Sequence, residues 1–523
     1  MGSLAALPAP KVRDRGVILA VLCLSLLIVS LDNTVLNVAM PDIVRELNAT
    51  SGQLQWVIDA YAVVFAGLLL VIGSIGDRVG RKWTYLGGLT VFGAGSAISA
   101  FAGSPNHLIA ARVVMGVGAA AIMPSTLSIL TNVFPEPAAR ARAIGLWSGT
   151  TGLGVAIGPV IGGWLLAHYW WGSVFLINVP IAALAVVATL LIVPNSASGN
   201  ARRADPIGAA LSIIGMGALL WGIIEAPTRG WDHPVVLGAL VGAVVILAVF
   251  ARFEQRSSSP MLQVAFFASR RFSVAMAGLA FVIFSLMGGL FVLTQYLQFA
   301  LGYSALQAGM RISPIAAVIL VVAPASMLAV QRIGTKPVVA AGIALIAGGL
   351  FALSRVTVAG GYGDALPAFF CLGIGAGLSF APCTDAVMGS LPLEDAGVGS
   401  ATNGAALQTG GAIGVAVFGS LLNTRYQDQL KPLLAHHPMP ASVLHLIMGS
   451  LGGALEVAKH AGPLGAALAG AARQAFVHGL DLAVLVGGIV ALAAAVLVLA
   501  LLPNRPERRG LDRAAEGEAA DAA

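Results

Sequence analysis

Val17-Ile-Leu-Ala-Val-Leu-Cys-Leu-Ser-Leu-Leu-Ile-Val-Ser-Leu31 carries no charge, follows Lys11, Arg13 and Arg15, and runs straight into Asp32-Asn33-Thr34. Leu482 to Leu502 repeats the pattern near the other end of the chain. About 20 apolar residues at 1.5 Å each match a hydrocarbon layer of ~30 Å. No water at that depth can satisfy the backbone, so such runs must be helices. The period-2 alternation of a membrane barrel is absent. Composition agrees: the 523 residues are 58% hydrophobic and 10% charged, with a mean hydropathy of +0.90. A water-soluble domain of this size needs far more charge to cover its surface.

The basic start before Val17 looks like a secretion signal. However, the apolar run ends in Asp32-Asn33-Thr34 without a small-residue cleavage site, so it is read as an uncleaved first span. Cys23, Cys371 and Cys383 lie inside apolar runs at spacings that suit neither a metal nor a disulfide.

Repeating this reading along the chain gives fourteen expected spans, at roughly 17–40, 54–73, 84–103, 107–131, 141–166, 174–194, 206–226, 234–252, 273–299, 307–330, 336–354, 365–390, 400–424 and 479–503. Alternate loops hold 20 of the 29 Lys and Arg residues, and the opposite loops hold seven. Basic loops stay on the cytoplasmic side, which places both termini there and makes the span number even. The expected organisation is a cytoplasmic start (1–16), a six-helix bundle (17–194), a linker with two extra spans (195–272), a second six-helix bundle (273–503) and a cytoplasmic tail (504–523). The long outer loop 425–478 has an amphipathic pattern, expected to form a helical hairpin on the membrane or over the protein.

Two halves are visible as a repeat. Gly76-Asp77-Arg78-Val79-Gly80-Arg81-Lys82 recurs as Val330-Gln331-Arg332-Ile333-Gly334-Thr335-Lys336, an offset of 254. Glu136 with Glu394 and Gly152 with Gly410 repeat at 258. Parallel repeats about an axis along the membrane normal are a known transporter plan. The pair 206–226 and 234–252 accounts for the extra length between the halves.

Ionisable residues deep in a span are costly and mark function. Asp32, Asp59 and Arg112 fall at similar depth in the first half, with Asp32 about 12 Å of helix from the end of its span. Asp32 is the expected proton carrier, tuned by Arg112. Asp59, with Gln55 one turn before it on the same face, is expected to bind cationic substrate. Phe284, Met287, Phe291 and Gln295, spaced along one span, are the expected adaptable substrate lining. Gly154, Gly158 and Gly162 make a flat helix face for close packing, and Pro159 permits a bend. No Walker-type Gly-Lys-Ser/Thr occurs, and Gly152-Leu-Gly154 does not fit a nucleotide fingerprint.

These residues carry a resemblance. Leu31 through Pro41, Gly73 through Lys82, Arg112 with Gly116 and Gly118, and Gly154 through Gly163 together resemble the fourteen-span drug:proton antiporter branch of the major facilitator superfamily. Gln295, Gln298, Gly302-Tyr303-Ser304 and Ala308-Gly309 are similar to that branch as well. The resemblance implies an all-α, polytopic fold of two six-helix bundles plus two central spans. It further implies proton-coupled efflux of amphipathic, hydrophobic or cationic small molecules, with no cofactor beyond the proton gradient. Gly73, Asp77, Gly80 and Arg81 would form a conformational latch. Relatives in this branch often carry charges where this chain has Ala401-Thr-Asn-Gly-Ala-Ala-Leu-Gln408, and their lack speaks against multivalent cations. The expected partners are substrate, protons and lipid, with no nucleic acid, in a monomer of the inner membrane. A dedicated exporter of one natural product fits the same motifs. A membrane-embedded enzyme or sensor fits poorly, since no His, Ser or carboxylate cluster marks one interface.

Overall fold

The computed structural model describes residues 12–134, 136–195, 205–257, 264–390, 396–435 and 439–504. Residues 1–11 and 505–523 of the expected terminal segments, with Lys11 and the tail arginines, and Glu394 lie outside them. Every described element is helical. The helices are α1 (Val12–Leu47), α2 (Ser51–Val79), α3 (Arg81–Ala100), α4 (Pro105–Val133), α5 (Pro137–His168), α6 (Ser173–Leu176) and α7 (Asn178–Ile192). Then come α8 (Pro206–Arg229), α9 (Pro234–Arg256), α10 (Arg270–Gln295), α11 (Ala305–Ile333), α12 (Thr335–Leu353), α13 (Tyr362–Met388) and α14 (Ala396–Leu434). Last are the short α15 (Ala441–Gly449) and α16 (Leu451–His460) and the long α17 (Gly465–Leu501). Among the described residues, twelve helical segments are long and apolar enough to cross a membrane. The α8–α9 pair is among the twelve, whereas α3 and α5 are not; the apolar part of α5, Ile157–His168, is shorter.

Packing sorts the long helices. α1 to α7 form one group, in which α4 packs between α2 and α3, and α5 lies along α1. α10 to α14 and α17 form the other, in which α13 lies between α11 and α12, and α14 between α10 and α17. The groups meet along two seams, α5 with α11 and α2 with α14. α8 lies against both sides of the second seam while α9 packs on α8, and α9 is the most exposed of the long apolar helices.

The repeat seen in the sequence reappears as matched turns. Gly80 (φ 116°) joins α2 to α3, and Gly334 (φ 91°) joins α11 to α12. Only glycine adopts such positive φ without strain. A side-chain amide covers each: Asn195, just past α7, lies over Gly80, and Asn504, just past α17, lies over Gly334. The last helix of each group therefore returns to the same corner.

The segment expected as one outer loop, 425–478, is shorter than that as a connection. α14 continues to Leu434 and α17 starts at Gly465, leaving α15 and α16 between them. These two pack over the ends of the bundle. Ser51 Oγ donates to Gly449 O at 2.7 Å, Tyr426 Oη donates to Ile447 O at 2.8 Å, and Gly452 lies against Val44 and Phe299. This end is called the hairpin end below; the opposite one, where α1 begins and α17 finishes, is the termini end.

At the termini end Arg15 of α1 reaches Glu136, just before α5, at 3.1 Å. The Glu136 backbone N–H and the Arg15 guanidinium hold that carboxyl below its usual value of 4.5. A lowered carboxyl stabilises the folded form above its ordinary pKa, and the contribution disappears as pH falls through the lowered value. The thermal midpoint of wild type should therefore exceed that of Glu136→Gln at neutral pH. The difference should close as the pH drops below about 4.3. A gap that persists at acid pH would show that the pair is not its source.

Candidate functional site: a buried ion pair beside the seam between two helix groups

After a charged first turn, α1 is apolar from Val17 to Leu31 apart from Ser25 and Ser30, and becomes polar at Asp32. Asp32 and Arg112 of α4 form an ion pair in which each side chain is 1% exposed. The guanidinium is held on every side: Nη1 donates to Asp32 Oδ2, and Nε donates to the Val57 carbonyl at 2.9 Å. The Tyr61 ring lies 4.2 Å from its centre and the Phe175 ring 6.0 Å. Asn178, which donates to Ser96 Oγ at 3.0 Å, lies beside the carboxylate. Burying both charges costs several kcal/mol per ion, which is recovered only through close pairing and further hydrogen bonds. The sequence indicated the pair but not the supporting Val57, Tyr61, Phe175 and Asn178. A carbonyl and apolar aromatic rings leave no motif.

Two and five residues beyond Asp32, Thr34 and Asn37 of α1 line a small cavity of about 50 Å³ between the groups. Leu286, Met287, Leu290 and Thr294 of α10 and Ile312 and Ala316 of α11 complete its wall. The α10 face on this cavity shares one residue with the stripe expected as substrate lining. Met287 lines the cavity. Phe284 packs edge-to-face on Phe418 of α14 at 5.6 Å, and Phe291 is 1% exposed against Gly419 of the same helix. Gln295 donates to the Phe291 carbonyl of its own helix at 3.2 Å. α10 is apolar all round, and the larger rings fill the side where α14 offers glycines.

Gln55 and Asp59, expected to act together, lie in different surroundings on α2. Gln55 Nε2 crosses the second seam to the Ala416 carbonyl at 2.9 Å. Asp59 is fully buried, and its carboxylate oxygens have no hydrogen-bond partner among the described residues. Ala62 and Val63, one turn on, pack with Leu220 and Ile224 of α8 and with Ala412 and Ala416 of α14.

α5 joins α1 to α11. Gly154, Gly158 and Gly162 lie against Ser30, Thr34 and Val35 of α1, where a β-carbon would collide. The neighbouring stripe, Pro159 and Gly163, meets Gly309 and Leu306 of α11 backbone to backbone. Gln298 Nε2 adds a bond to the Val38 carbonyl at 2.9 Å. All these contacts between groups lie toward the hairpin end, so that end is closed. In the expected latch, Gly73 stands 3.5 Å from Pro124 by its missing β-carbon, and Arg81 donates to the Ser128 carbonyl at 3.3 Å. The Asp77 side chain lies outside the described residues.

Residues 22–415 match the Major Facilitator Superfamily. The chain belongs to the Major Facilitator Superfamily. It is 33% identical over 515 residues to the tetracenomycin C resistance and export protein of Streptomyces glaucescens, covering 96% of this chain and 94% of that one. It is 33% identical over 491 residues to the multidrug efflux pump LfrA of Mycolicibacterium smegmatis, covering 92% and 95%. The methyl viologen resistance protein SmvA of Salmonella typhimurium is 32% identical over 484 residues, covering 91% and 96%. Among solved structures, an inward-facing bacterial homolog of the human lysosomal transporter Spinster superposes with a TM-score of 0.67 at 17% identity, covering 95% and 100%. Membership makes the protein a multi-pass membrane transporter rather than an enzyme, and in this superfamily the seam between helix groups is where substrates pass.

Removing either member of the ion pair should destabilise the protein unequally. A carboxyl can shed its charge by binding a proton, whereas a guanidinium cannot. Asp32→Asn strands a buried cation and should cost on the order of 3–5 kcal/mol, seen as a lower thermal midpoint in detergent. Arg112→Met should cost less, and equal losses would argue against the asymmetry. At the first seam, Gly309→Ala puts a methyl group against the Pro159 carbonyl and should push the groups apart. Labelling of Thr294→Cys by a bulky maleimide added from the hairpin end should then rise; unchanged labelling would mean that α5 and α11 yield without opening.

Proposed function

We propose that this protein exports amphipathic, hydrophobic or cationic small molecules across the inner membrane in exchange for protons, by alternating access of the cavity between its helix groups. The observation that carries this is the Asp32–Arg112 pair, buried in the bundle two residues from cavity-lining Thr34. A proton arriving at Asp32 cancels its charge and releases it from Arg112, which keeps Val57 and Tyr61 as partners. α1 carries both the carboxylate and the cavity wall, and it packs along α5, which also meets α11. A change of partner at Asp32 therefore bears on the seam that closes the hairpin end. The substrate roles would fall to Met287 in the cavity and to unpartnered Asp59 for a cation, with Gln55, Phe284, Phe291 and Gln295 supporting them.

On this reading all fourteen apolar segments cross the bilayer, α3 and α5 included, as in the fourteen-span drug:proton antiporter branch. The hairpin end faces outward, both termini are cytoplasmic, and the monomer needs no cofactor beyond the proton gradient. The relatives' names support efflux, since each is called a resistance, export or efflux protein. A narrower reading, export of a single natural product, draws on relatives named for one compound, such as tetracenomycin C. The uncharged stretch 401–408 fits an uncharged cargo.

Purified protein in liposomes with an internal pH dye tests the reading. Ethidium added across a proton gradient should drive proton flux in wild type, with flux lost in Asp32→Asn. Substrate movement without proton movement would overturn antiport, and full coupling in Asp32→Asn would remove Asp32 as carrier. Growth against a panel of toxic compounds separates a broad exporter from a dedicated one.

A further inference from the structure

A second cavity is larger than the one lined by Thr34 and Asn37. It lies at the hairpin end, has a volume of about 560 Å³, and is bordered by the end of α1, the π-helical turn Tyr296–Ala300 with the loop after it, α16, and the start of α17. Ligand pockets commonly measure ~300–1,000 Å³. Three cations line it, Arg45, Lys459 and Arg473, against one carboxylate, Glu456.

The charges do not balance. Glu456 is engaged by Lys459 at 2.5 Å, and Arg45 leans on Asp42, on its own helix, at 3.1 Å. Arg473 has no carboxylate partner among the described residues; its Nε donates to the Phe299 carbonyl at 3.3 Å. The Arg45 guanidinium stands 5.8 Å from the Phe299 ring centre. One phenylalanine thus holds a guanidinium by its ring and another by its carbonyl. Two like charges gathered on one residue repel each other unless an anion lies between them. α17 also directs its first turn, Gly465 and Ala466, into the cavity, and the N-terminal end of a long helix adds partial positive charge.

We propose that this cavity is a binding site for a phosphate-bearing organic anion. A phosphate offers several acceptor oxygens in a tetrahedral arrangement, which suits guanidinium and ammonium donors approaching from α1, α16 and α17. Tyr303 and Leu455 on the wall give the organic part an apolar contact. Arg45 belongs to the first helix group, while Lys459 and Arg473 adjoin the second. An anion held by all three ties the groups together at the hairpin end. It binds the closed arrangement better than one in which α1 has moved away, so it favours the closed arrangement. The phosphate can come from the headgroup of an anionic lipid in the adjoining leaflet or from a soluble phosphate ester.

The test uses the full chain in neutral detergent and follows its thermal midpoint. It is titrated separately with dioctanoyl phosphatidylglycerol, with glycerol 3-phosphate and with uncharged dioctanoylglycerol. Wild type should be stabilised by at least one of the two phosphate compounds and not by dioctanoylglycerol. A response to phosphatidylglycerol alone assigns a lipid headgroup, and a response to both assigns the phosphate ester itself. Arg473→Gln and Lys459→Gln should each weaken the response about tenfold. Lys459 is exposed, so its variant folds even where Arg473→Gln does not. Arg229→Gln, at a surface pair outside the cavity, should respond as wild type does. No stabilisation by either phosphate compound overturns the proposal. An undiminished response in Lys459→Gln, or an equal one to dioctanoylglycerol, does the same.

Discussion

Within a bilayer every helix satisfies its own backbone, and water supplies no force that drives helices together. What remains is how closely their backbones can approach, and in this protein that is decided on α5. Its glycine stripe at 154, 158 and 162 accepts α1, and the stripe beside it, at 159 and 163, accepts α11. The helix that fixes α1, and with it Asp32, is therefore also the one that seals the seam to the second group. A β-carbon at Gly154, Gly158 or Gly162 would push α1 away, and one at Gly163 of α5 or Gly309 of α11 would part the seam.

The buried ion pair takes its meaning from that arrangement. Arg112 is held by a carbonyl, an aromatic ring and a carboxylate, and only the carboxylate can change charge. The first two are fixed by the packing of α2 on α4. The third rides on α1, which packs chiefly along α5. A charge change at Asp32 thus acts on a helix that borders the cavity, while the guanidinium stays anchored. The group containing the pair supplies the chemistry; the opposing wall, from α10 and α11, is mainly apolar.

The α8–α9 pair occupies a place that the two-group plan leaves open. α8 lies across the seam of α2 with α14, and Ser420 Oγ donates to the Ile223 carbonyl at 2.7 Å. With Gln55 bonded to Ala416 beside it, this seam is supported by polar contacts where the α5–α11 seam relies on close backbone approach. The two seams are built from different physical terms, and a motion that parts one need not part the other.

The sequence by itself determined the helical class, through the length of its apolar runs, and the two matched groups, through the recurrence of Gly80 as Gly334. It also singled out Asp32 and Arg112, because charge in an apolar run is too costly to be incidental. The facing of the helices was decided only in the tertiary structure. A helix apolar on every side carries no stripe that tells cavity from neighbour. Hence Phe284 and Phe291 were legible as large apolar residues of α10 but not as packing against α14. The same holds for Gln55, whose partner is a backbone carbonyl with no sequence signature. The cavity at the hairpin end depends on Arg45, Lys459 and Arg473, which are far apart in the chain and are brought together only when α16 folds over the end of α1.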